Sequence, residues 1–73
     1  MTYFVIIETK YSEGRVIYVA FPNNSNHMIT YTPNREKAWK WVLDKKQDCI
    51  YYCEYLNKTT NNEFEFNVLR CKE

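Results

Sequence analysis

The chain reads as an α+β protein: an antiparallel sheet of four to five strands with one amphipathic helix packed on one face, in the order ββ(β)αββ. Three observations predict this. Short runs rich in β-branched and aromatic residues, such as YFVIIE and RVIYVAF, recur along the chain. One segment, TPNREKAWKWVLDKKQ, departs from them in composition and opens with helix-start chemistry. The length of 73 residues supports one small core, so 1–73 is expected to form a single compact domain.

Residues 3–8 form the first expected strand and residues 15–21 the second. Between them YSEGR holds the only glycine, Gly14, where a turn needs a residue tolerant of positive φ. Both strands are apolar on both faces, which suits interior positions in a sheet. The loop formers PNNSN (22–26) follow, then HMITY (27–31), a short third strand at an edge.

Over 33–47 the pattern predicts the helix. Thr32 suits the N-cap, and Pro33 suits the first helical position, where its missing N–H is not needed. At about 100° per residue, Ala38, Trp39, Trp41, Val42 and Leu43 span an arc of roughly 200°. Trp41 falls on its margin, with Lys37, Lys40 and Asp44 opposite.

Residues 49–56 and 63–71 are expected to form a second hairpin around NKTTNN. Pairing Asn57 with Glu63 sets Leu56 against Phe64 and Tyr52 against Val68. Ile50, Tyr52, Leu56, Phe64, Phe66 and Val68 then make the core face. The other face carries Cys49, Tyr51, Cys53, Tyr55, Leu69 and Cys71. One helix covers one side only, so this second face is expected to lie open.

Tyrosine is amphipathic and loses little entropy on contact, so an open face with Tyr51, Tyr55 and Leu69 suits a protein partner, a homodimer included. The plainer alternative is a solvated sheet coated with tyrosines. Trp41 with Lys37 and Lys40 forms the second-choice surface, where a solvated charged face is the plain reading.

Composition excludes several chemistries. The net charge of +1 does not imply nucleic acid by bulk electrostatics, although 35–46 carries a local +3 and 48–73 a local −2. A nucleic-acid reader using the basic helix and the tyrosines is the alternative function. It is disfavoured because the expected fold puts them on opposite sides and sets Glu65 against Tyr55. One glycine rules out a Gly-rich phosphate loop. No spaced carboxylate pair sits on a rigid element, which argues against an enzyme and a small-molecule substrate.

Cys49 and Cys53, on an extended strand, would stand about 13 Å apart and could not share a metal ion. No metal or other cofactor is expected. Cys49 and Cys71 come out as cross-strand neighbours able to bridge on oxidation. A thiol nucleophile would need His27, the only histidine, as its base. Three cysteines, no signal-like start and no apolar run long enough for a membrane point to the cytoplasm and free thiols.

Asn, Lys, Ile, Tyr and Phe, residues of AT-rich codons, supply 31 of the 73 residues. With the short length and the aromatic load, the chain resembles the small accessory proteins encoded by phages and mobile elements of low-GC Gram-positive bacteria. The resemblance is one of overall character across the whole chain. It implies a protein that binds and blocks a host or defence component, for example a CRISPR-type nuclease complex, a polymerase or a regulator. It transfers no functional residue.

Overall fold

Residue 14 is a glycine because the chain turns there with positive φ at two successive positions, Glu13 (+51°) and Gly14 (+83°). The Arg15 N–H closes this turn on the Ser12 carbonyl at 3.0 Å, an arrangement of the type I′ family that matches strand twist. It joins β1 (Thr2–Glu8) to β2 (Ile17–Ala20). Glu8, buried at the end of β1, accepts backbone N–H bonds from Lys10 and Tyr11 and so shapes the exit from the strand. The structure is a computed structural model that describes residues 1–22, 29–61 and 63–72.

The fold is α+β: the described residues form a five-stranded antiparallel sheet and one α-helix packed on it. The order of elements after β2 differs from the expected one. Of the expected third strand, β3 forms over Thr30–Thr32; most of the PNNSN loop, together with His27 and Met28, lies outside the described residues. Thr32 and Pro33 do not start an α-helix. The Thr32 hydroxyl accepts the Asn34 N–H, and the Asn34 side chain accepts the Glu36 N–H, which sets up a single 3-10 turn, Arg35–Lys37.

Ala38 then returns to extended backbone, and Trp41–Val42 form β4. A second 3-10 turn, Leu43–Lys45, leads directly into α1, Lys46–Thr59. The helix expected over 33–47 is thus absent up to Lys45, and the strand expected over 49–56 is helical. β5, Phe66–Lys72, completes the sheet.

The second hairpin is corrected with it. β5 pairs along all seven residues of β1, from Thr2↔Lys72 to Glu8↔Phe66. β2 and β4 share the other side of β1, β2 against Ile7 and Glu8 and β4 against Tyr3 and Phe4. Trp39 bridges the two by donating its backbone N–H to the Val19 carbonyl at 3.0 Å. β3 lies outside β2.

The helix forms because Cys49, Tyr52, Cys53 and Leu56 recur at i, i+3, i+4 and i+7 and fill one arc of about 100°. That stripe packs on Phe4, Ile6, Val19 and Phe66 of the sheet. Each large apolar side chain fully buried here contributes roughly 1.5–3 kcal/mol. Asp48 in the first turn and Lys58 in the last complement the helix dipole. Thr60 closes the C-terminus with both its N–H and its hydroxyl on the Leu56 carbonyl, and Asn61 follows with φ +53°.

The opposite face of the sheet is not open either. Tyr3, Val5, Tyr18, Ala38 and Cys71 form a second buried cluster there. Ala38 and Lys40 reach this side from the segment between the 3-10 turns, with the Lys40 ammonium 5.3 Å from the Tyr3 ring centre. An irregular segment therefore supplies a cover that counting helices did not foresee.

Candidate functional site

On α1 the exposed residues Tyr51, Glu54, Tyr55 and Lys58 line a surface groove of about 330 Å³. Tyr51 is 62% exposed and Tyr55 58%. The expected exposure of these two rings is therefore observed, but helical rotation causes it rather than strand alternation. At about 100° per residue Tyr51 lies across the helix from Cys49, and Tyr55 lies about 40° from Tyr51 towards Tyr52.

Tyr55 is the end of a longer row of rings. It stacks on Tyr52 at 6.0 Å between centroids, and Tyr52 meets Trp39 at 5.1 Å and Trp41 at 5.9 Å. Trp39 stacks on Trp41 at 4.3 Å, and exposed Phe21 meets Trp39 edge-on at 4.8 Å. The two tryptophans lie side by side because WKWV is extended, so positions 39 and 41 share a face while Lys40 and Val42 take the other. The indole N–H of Trp41 is buried with no acceptor among the described residues.

A second groove of about 330 Å³ adjoins the row, lined by residues that include Ile29, Tyr31, Tyr52, Tyr55 and Thr59. Burial raises the Tyr52 phenol above its ordinary pKa, and Tyr55 adds to this. Burial raises Tyr31 as well, with Glu8 adding to it. These phenols are neutral hydrogen-bonding groups at physiological pH, suited to contact rather than to proton transfer.

The structure divides the expected site residues. Tyr51, Tyr55 and, through Tyr52, Trp41 belong to one belt. Leu69 pairs with Val5 and lies on the far side of the sheet, 37% exposed. Lys37 sits in the 3-10 turn, and Lys40, beside Tyr3 on the far side, also pairs with Glu36 at 3.4 Å. Trp41 is thereby separated from Lys37 and Lys40. Trp39, Tyr52 and Phe21, which sequence reasoning did not select, are the middle of the belt; the W-x-W spacing was the available signal.

The cysteines are corrected too. Cys49 and Cys53 are one helical turn apart, about 6 Å along the axis rather than 13 Å. Both are buried against the sheet. Cys71 lies in the cluster on the opposite face, so a Cys49–Cys71 bridge would have to pass through the sheet; all three cysteines are free. Burial, with a smaller contribution from Cys53, pushes the Cys49 thiol up to about 12, which disfavours the thiolate that a nucleophile or metal ligand requires. Among the described residues no three His, Cys, Asp or Glu side chains converge on a point. His27 lies outside them.

No family model, curated protein or solved structure matches the chain. No helix among the described residues is long and apolar enough to cross a membrane.

Proposed function

We propose that the chain is a small non-catalytic protein-binding module that works by occupying a surface of its partner. In the setting its composition suggests, a phage or mobile element acting in the host cytoplasm, the partner is a host or defence component that is inhibited by being bound. The observation that carries this reading is the belt running from Tyr51 and Tyr55 through Tyr52 and the two tryptophans to Phe21.

Aromatic rings at an interface bury large area for few rotatable bonds, and truncating one at a hot spot costs about 2 kcal/mol or more. An interface of ordinary size takes roughly 800 Å² from each side. That is about a seventh of the 5257 Å² accessible surface, so a single face of this molecule suffices. The nucleic-acid reading gains nothing from the geometry: Tyr51 and Tyr55 share their groove with the oppositely charged Glu54 and Lys58.

Comparative capture from cells of the source organism tests the proposal. Wild type and a Lys37→Ser control should retain the same partner protein, and Tyr51→Ser/Tyr55→Ser should lose it with an unchanged circular dichroism spectrum. Equal retention by all three, or recovery only of nucleic acid at low salt, would contradict it.

A further inference from the structure

We propose that the outer edge of β5 is a second docking site, which takes an extended acidic peptide segment as an added strand. This surface is separate from the aromatic belt and does not depend on it.

The hydrogen-bond phase of β5 follows from one contact. The Thr9 N–H donates to the Glu65 carbonyl at 2.8 Å, so residues 65, 67, 69 and 71 aim their backbone groups at β1. Phe66, Val68, Arg70 and Lys72 therefore aim theirs outward. At Phe66 both outward groups are taken by one side chain: the Asn57 amide donates to the Phe66 carbonyl at 3.0 Å and accepts its N–H at 2.8 Å. A side-chain amide thus stands where the next strand's peptide group would be, and it closes this end of the edge. Val68, Arg70 and Lys72 have no such partner among the described residues.

The chemistry of the occupant follows from the side chains beside these groups. Arg70 and Lys72 are exposed on the helix side of the edge. Lys46 lies 5.7 Å from the ring centre of Phe4, the residue paired with Arg70. None of the three is in an ion pair with a described residue. Cationic side chains on an edge oppose pairing with a second copy, because like charges would be brought close across the new ladder. The same cations favour a strand with carboxylates opposite Arg70 and Lys72, and half-exposed Leu69 favours an apolar residue on the other face, next to the one opposite Arg70 on the Val68 side.

Amide exchange followed by NMR tests this, with a capped peptide alternating glutamate and valine as the probe. In the free protein the Val68, Arg70 and Lys72 amides should exchange fast, while Phe66 and Leu69 are protected. The peptide should slow Val68 and Arg70 by about tenfold or more, and a lysine–valine peptide should not. Arg70→Glu, an exposed change, should weaken binding of the glutamate peptide by about fivefold or more and favour the lysine peptide; Lys72→Glu is a second variant with the same expectation. Tyr51→Ser/Tyr55→Ser should leave peptide binding intact, which separates this site from the belt. Unchanged exchange at Val68 and Arg70 with the glutamate peptide would overturn the proposal. Protection that grows with protein concentration alone, marking a second copy on the edge, would overturn it too.

Discussion

Cys49 has no accessible surface, and its neighbour one turn on is another buried thiol. Its folded pKa of about 12 lies above the ordinary 9.0, so the folded state holds this proton more tightly than the unfolded chain does. The stabilisation is present in full below about pH 9 and is lost as pH rises from there towards about 12. Cys53, Tyr31 and Tyr52 are shifted in the same direction and add to the loss. Denaturant melts should therefore show a midpoint falling steadily above about pH 9, and Cys49 and Cys53 should resist alkylation at neutral pH until the chain unfolds; prompt labelling of either in the native state would refute the burial. Asn57 offers a second test. Asn57→Ala leaves the Phe66 N–H and carbonyl without their partner in a part-buried position and should cost about 1–3 kcal/mol in urea melts. That Tyr51 and Tyr55 share an exposed side was legible from the sequence, because a strand (i, i+4 on one face) and a helix (i, i+4 about 40° apart) both put them together and off the Leu56 side. Which cysteines face water was not, because the two geometries disagree at 49 and 53.

The helix and the strand exchanged places relative to the sequence reading, and the reason lies in two short patterns. YY flanked by Ile and Cys has strand-like composition, yet Cys49, Tyr52, Cys53 and Leu56 repeat at helical spacing. A strand over 49–56 also puts the Glu54 carboxylate on the core face against Phe66, a burial cost that the helix avoids by turning Glu54 to water. In AWKWV the tryptophans are two apart, a spacing that an extended chain places on one face and a helix does not. Helix and strand respond differently to proline, which removes an N–H and clashes with the preceding turn of a helix. Glu54→Pro should cost about 3 kcal/mol or more, and Glu54→Ala should leave stability within about 0.5 kcal/mol. Leu56→Ala, on the buried stripe, should cost about 2–5 kcal/mol. Thermal melts of the three variants separate the exposed and the packed side of α1.

At the scale of the whole molecule, the sheet is built around β1, whose longest ladder is with β5, some sixty residues away in sequence. Fold class was legible, since two kinds of periodicity and one small core leave few architectures. Topology was not, because β5 bypasses its sequence neighbour α1 to pair with the first strand, and local patterning carries no record of such a pairing. The far side of the sheet was misjudged for a related reason: an irregular segment ending in Ala38 and Lys40 covers it, and irregular segments have no period to read. The aromatic belt accordingly sits on the helix side, with exposed Phe21, Tyr51 and Tyr55 at its ends and half-buried Trp39, Trp41 and Tyr52 between them, and the functional proposal rests on that belt. The most direct measurement is the affinity of the captured partner for wild type and for Tyr51→Ser/Tyr55→Ser, determined by titration calorimetry on folded protein. A loss of about tenfold or more, some 1.4 kcal/mol, is predicted; equal affinity within about twofold would contradict the assignment of the belt as the binding surface.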